Sequence, residues 1–182
     1  MNKIIKCLVA TSLMLIFAGC GTLPQVKAQE RIFPPLALEF LAEYDLPLQE
    51  FANTPVGGLS GITYDRQTNR FFAVSDDRSN LAPARFYTLD LEIAEQANQQ
   101  IGIKNIKIED VTFLRDAEGK TYSPGTIDPE GIALSPQGSL YISSEGSPQL
   151  NIPPGIFEFD KNTGKLKQGL RIPQRYLPDP TG

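Results

Sequence analysis

One segment of the chain recurs 70 residues downstream. Gly61-Ile62-Thr63-Tyr64-Asp65 overlies Gly131-Ile132-Ala133-Leu134-Ser135, and Phe86 to Asp90 overlies Ile156 to Asp160 at the same offset. Between them, with a one-residue gap, Phe71 to Asp76 matches Leu140 to Glu145. Both copies run strand, turn, strand ending in an acid, loop, strand ending in Asp. The strands are rich in aromatic and branched residues, and turn chemistry separates them at Asp65 to Asn69, Pro136-Gln137-Gly138 and Asn162-Thr163-Gly164. A fourth strand is expected at Ile106 to Leu114, followed by a turn over Asp116 to Lys120. Four antiparallel strands, repeated, are the sequence form of a propeller blade. A β-sandwich also has short strands and turns but predicts no structured repeat. The expected fold is therefore all-β, a β-propeller with about two blades in this chain.

The period exceeds the ~40–45 residues of a compact blade, and the surplus falls around Glu92 to Asn105 and Arg115 to Ile127. Two blades cannot close a ring, and they leave two apolar faces without neighbours. The sequence ends in loop-like Leu177 to Gly182. The expectation is an incomplete ring, the N-terminal part of a longer propeller over residues 36–182. A strand at Leu36 to Glu43, with Leu36, Leu38 and Phe40 alternating, is expected to pair with a blade outside this sequence.

The N-terminus reads as an address. Lys3 and Lys6 precede an apolar stretch, Leu8 to Gly19, that is too short to span a bilayer. Residues 1–19 are expected to be a signal peptide. The stretch ends in Phe17-Ala18-Gly19-Cys20, which resembles a bacterial lipobox, although Phe17 stands where Leu is usual. Cys20 is then the lipidation site, and residues 20–35 the anchor and linker. The alternative is an ordinary secretory signal cut near Gly19 or after Ala28. Both routes export the protein, to a membrane-anchored or periplasmic place in the bacterial cell envelope. With Cys7 in the removed segment, Cys20 has no partner for a disulfide.

Composition narrows the chemistry. Without Lys3 and Lys6 there are 15 basic and 21 acidic residues, a net charge of −6, so nucleic acid is not an expected partner. The chain has no histidine at all. That excludes a Ser-His-Asp triad, a histidine-nucleophile phosphatase and any imidazole-held zinc within it. What remains is carboxylates, hydroxyls, Lys, Arg, Tyr and a metal held by oxygen.

Four motifs stand in order: Gly57-Gly58-Leu59-Ser60-Gly61-Ile62, Ser75-Asp76-Asp77-Arg78, Asp128-Pro129-Glu130-Gly131-Ile132 and Ser143-Ser144-Glu145-Gly146. Together they resemble the phytase-like, or "esterase-like activity of phytase", family, from Phe51 nearly to the end. The resemblance implies kinship with calcium-dependent β-propeller phytases, and so a hydrolase of esters using Ca²⁺. An acid-Gly-hydrophobic run followed by an acid after a Gly-Ser-Leu-Tyr-Ile strand corresponds to Glu130-Gly131-Ile132 and Gly138 to Glu145.

The residues lead to the same place on physical grounds. Glu130 begins one strand and Glu145 ends the next antiparallel one, so both emerge at one rim. Asp76 and Asp77 hold the equivalent strand end in the preceding copy. Converging carboxylates repel unless a hard cation neutralises them. Asp76, Asp77, Glu130 and Glu145 are the candidate metal ligands. Glu130 and Arg78 are the candidate catalytic residues, with Arg78 placed to bind an anionic substrate oxygen. Asp76 and Asp77 read equally well as solvated turn residues. Ser60, Ser75 and Ser143 have no histidine to activate them, Gly57-Gly58 lacks the lysine of a phosphate loop, and Glu158 is expected to face outward. The function expected is calcium-assisted hydrolysis of phosphate or other esters, on a small anionic substrate. The alternatives are a non-catalytic binding or scaffold propeller and an incomplete, inactive product.

Overall fold

The computed structural model describes residues 37–95 and 101–177. The expected signal peptide, Cys20, the linker to residue 35, Leu36 and the tail after Leu177 lie outside them.

Among the described residues the secondary structure is strand, apart from two single 3-10 turns at Pro148–Leu150 and Gln174–Tyr176. A small hairpin, β1 (Gln49–Phe51) and β2 (Thr54–Val56), precedes two four-stranded sheets. The first is β3 (Leu59–Asp65), β4 (Arg70–Ser75), β5 (Arg85–Glu95) and β6 (Ile101–Phe113); the second is β7 (Pro129–Leu134), β8 (Ser139–Ser144), β9 (Gly155–Asp160) and β10 (Leu166–Gly169). Each sheet is antiparallel with its strands in chain order, as a propeller blade is. The repeated segments are β3, β4 and β5 in the first blade and β7, β8 and β9 in the second. The fold is thus all-β, two blades of a propeller with no closed ring among the described residues.

Local chemistry sets the turns. The Asp65 carboxylate accepts the Gln67 amide at 2.9 Å and Asn69 takes a positive φ of 55°, closing β3 onto β4. Asp160 does the same after β9, accepting the amides of Asn162 and Thr163 at 3.1 and 2.9 Å. The period-2 alternation then decides which side chains meet. In β4, Phe72 and Val74 face the second sheet and join Phe86, Leu140, Ile142 and Phe159 in a core between the blades. Phe71 and Ala73 face the other way, with Tyr87, Leu89 and Ile108. Val56, Leu46 and Phe51 pack against that second face, so the hairpin partly covers a surface expected to be bare.

Residues 37–43 form no strand here and Leu38 is wholly exposed; the blade expected to pair with them is not among the described residues. Two expectations need correction. The fourth strand begins at Ile101 rather than Ile106, because β5 and β6 pair along their whole length, from Arg85↔Phe113 to Glu95↔Ile101. Within the surplus at Glu92 to Asn105, the described residues extend β5 and β6 as paired strands. The far face of the second blade mixes charge with Tyr141 and the exposed Ile156. There Glu158, 8 % exposed, pairs with Lys167 at 2.8 Å, so Glu158 does not face freely outward.

The blades meet along β3 and β7. Gly61 makes this possible, since a Cβ there would lie 3.0–3.1 Å from the backbone of Glu130, Gly131 and Ile132. Two residues on, the Leu134 amide donates to Thr63 Oγ1 at 3.1 Å. At the turn end of this seam Lys161 of the second blade reaches Asp65 of the first at 2.8 Å. At its other end lies the acidic rim.

Candidate metal centre

Asp128 leads into β7, which opens with Pro129-Glu130-Gly131. Pro129 has no amide to give the ladder, and the register passes from Pro129↔Ser144 to Gly131↔Ser143. Glu130 is the extra residue of the resulting bulge, a device that re-aims one side chain out of a strand's alternation. Serine hydroxyls hold the distortion. Asp128 N donates to Ser144 Oγ at 3.0 Å and Gly131 N to Ser143 Oγ at 2.9 Å. Glu145 N donates to the Asp128 carbonyl at 3.1 Å, fixing the end of β8 to the start of β7.

The outcome is a cluster of three carboxylates. One oxygen each of Asp128, Glu130 and Glu145 lies within 4.8 Å of the others. Asp128 is buried, Glu130 half-buried and Glu145 exposed. Burial raises the Asp128 pKa; Arg78 opposes the shift, while the charges of Glu145 and Asp76 add to it. The Glu130 pKa is raised too, first by burial and then by Glu145, Asp128 and Asp76. Carboxylates gathered this closely, with ionisation of Asp128 and Glu130 disfavoured, can be neutralised by a hard cation. Arg78 completes the rim, with Nε 3.3 Å from Asp128 Oδ2. That Nε is buried and has no hydrogen-bond partner among the described residues. An oxygen-only donor set fits a hard cation. The residues present can therefore hold a metal.

The expected site residues separate here. Glu130 and Glu145 come together, and Arg78 stands beside them. Asp76 is close enough for its charge to act on Asp128 and Glu130, yet it is not one of the three. Asp77 turns away. Its carboxylate binds Arg85 at 2.8 Å and the amides of Asn80 and Ala82 at 2.8 and 3.0 Å. Burial opposes ionisation of Asp77, but Arg85 and the amides of Ala82, Leu81 and Asn80 together lower its pKa.

Asp128 is the member of the cluster that the sequence reading passed over. Its signal was its place in the acid-Pro-acid-Gly run that enters β7, although the bulge at Glu130, not simple alternation, brings the two carboxylates together. The blade register explains why the first blade has no matching cluster among the described residues. In the first blade Gly58, Ser60 and Asp76 hold the positions of Asp128, Glu130 and Glu145, with Ser60 on the matching bulge between Leu59 and Gly61. The backbone bond is kept as well, Asp76 N to Gly58 O at 2.8 Å. Gly58 has φ +56°, and a Cβ there would collide with the Asp76 carboxylate.

A cleft of about 360 Å³ borders the rim, lined by Gly57, Gly58, Asp76, Arg78 and Leu81. Another of about 450 Å³ lies at the turn end of the seam, where the charge of Lys161 is already taken by Asp65.

Comparison with curated proteins finds no match to this chain. A family model described as "Phytase-like: Esterase-like activity of phytase" matches residues 54–182, over two thirds of the chain, including both blades and every carboxylate of the rim. Membership supports a hydrolase-type function. With the repeat, the two blades and the acidic rim in agreement, the chain belongs to the phytase-like family.

Proposed function

We propose that the chain carries the metal-binding part of a calcium-dependent hydrolase of ester bonds, phosphate esters above all. The observation that supports this most directly is the approach of Asp128, Glu130 and Glu145 to within 4.8 Å, with Arg78 alongside. Three oxygen donors of mixed burial suit Ca²⁺, which accepts irregular oxygen shells. Bound there, the ion would offset charge on a phosphoryl group and lower the pKa of a water. The chain's own residues bind and orient. Arg78 takes an anionic ester oxygen through its terminal N–H groups, while its Nε faces Asp128. Glu130, aimed into the same space by its bulge, positions the attacking water. Asp128, its backbone held by Ser144 and by the end of β8, is the most buried of the three.

The reading includes export. Lys3, Lys6, the apolar run and Ala18-Gly19-Cys20 support a lipid anchor at Cys20 in the bacterial cell envelope, with a small anionic ester reaching the site from solution.

The test is turnover of a phosphate monoester and of a carboxyl ester by the intact protein, with Ca²⁺ and with a chelator. Phosphate-ester turnover that needs Ca²⁺ supports the reading. Turnover indifferent to Ca²⁺ overturns the metal role, and no turnover with Ca²⁺ still raising the melting temperature replaces the enzyme by a calcium-stabilised binding propeller.

A further inference from the structure

Arg85 leads the fully buried side chains by volume, at 1 % exposure. A guanidinium so placed must have its donors satisfied. Its Nε donates to Tyr87 Oη at 2.6 Å, one terminal nitrogen to Asp77 at 2.8 Å, and the other to the Pro55 carbonyl at 2.9 Å. The carbonyls of Ala82 and Pro83 take further bonds at 3.2 and 3.3 Å. Asp77 in turn gathers the amides of Asn80, Leu81 and Ala82. The whole segment from Asp76 to Ala84 is thus wrapped around one buried ion pair. Ser79 within it has φ +62°, a strained value for a residue with a side chain. Its hydroxyl accepts the Ala84 amide at 2.9 Å.

For stability alone a buried ion pair is a poor choice, since apolar residues of similar volume often serve as well or better. What the pair does control is position. The segment bears Arg78, whose carbonyl accepts the Gly125 amide at 2.8 Å and whose Nε faces Asp128 at 3.3 Å.

We propose that Arg85, acting through Asp77, is the positioning residue for Arg78, and that it thereby gives the rim its preference for an anionic ester over a neutral one. The selectivity rests on the reading of Arg78 as the anion-binding residue; the positioning does not.

The experiment compares wild type, Arg85→Lys, Arg78→Ala and the double variant of the intact protein. Amide exchange at Gly125 reports the Arg78 segment without any substrate. Calorimetry with inorganic phosphate in the presence of Ca²⁺ reports the anion. Arg85→Lys is expected to speed exchange at Gly125 about tenfold or more while Leu140 and Ile142 keep their wild-type rates. Phosphate affinity should fall roughly tenfold in Arg78→Ala, by a similar factor in Arg85→Lys, and no further in the double variant. Should Arg85→Lys fail to fold, Tyr87→Phe removes the acceptor of the Arg85 Nε, together with the hydroxyl's bonds to Pro55 and Thr54, and should loosen Gly125 in the same sense. Unchanged exchange at Gly125, or exchange that rises equally at Leu140, overturns the positioning role. Losses that multiply in the double variant overturn the coupling to Arg78. A wild type that binds no phosphate removes the selectivity and the anion reading together, and the exchange rates still decide whether Arg85 places the segment.

Discussion

Asp65→Asn should weaken the joint between the blades in a pH-dependent way. Asp65 ends β3 of the first blade and is 2 % exposed, and its partner Lys161 follows β9 of the second. The Lys161 hydrogen bond, against the cost of burial and with help from Gln67 and Thr68, lowers the Asp65 pKa from 3.8 to about 2. A shift of that size corresponds to about 2 kcal/mol of native stability. Because the folded pKa lies below the unfolded one, this stability is fully present above the unfolded value and is lost as pH falls from about 4 towards 2. Asparagine keeps the shape and an acceptor for the Gln67 amide, so the change removes mainly charge. Urea unfolding of both proteins at pH 7 should show a gap of about 2 kcal/mol, narrowing to a few tenths near pH 2. A gap of equal size at both pH values would refute the electrostatic origin, and no gap at pH 7 would refute the joint.

Three further outcomes follow from the same contacts. Phe159→Ala, at a fully buried position between the sheets, should cost about 3–5 kcal/mol in urea unfolding. Gly61→Ala should cost about 1–3 kcal/mol and also weaken ion binding, because the added Cβ presses on the backbone of Glu130 and Gly131, which cannot rotate aside. Cys20→Ser should move the protein out of the membrane fraction, and an unmodified Cys20 by mass spectrometry would remove the lipid anchor.

The blades were legible because a strand repeat with turn residues at fixed offsets states both the local structure and its copy number. Glu130 and Glu145 were legible for a related reason, since antiparallel neighbours bring the start of one strand to the end of the next. Asp77 could not be sorted from Asp76 by sequence, because its buried partner Arg85 enters from β5, beyond a loop. Glu158 was misplaced for a similar reason. Alternation put it on the far face, but Lys167 and Gln168 of β10 close over it at 2.8 and 2.7 Å and draw its pKa down to about 2. Asp128 was hidden by its neighbour Pro129, which reads as a turn while serving to start a bulge.

A calcium titration of the intact protein by calorimetry, for wild type, Asp128→Asn, Glu130→Gln, Glu145→Gln and the outlying Asp110→Asn, tests the metal site most directly. Wild type and Asp110→Asn should bind alike, and each of the three rim variants should bind at least about tenfold more weakly with the fold intact by circular dichroism. Wild-type affinity retained in Glu130→Gln and Asp128→Asn together, or a wild type that takes up no calcium, would contradict it.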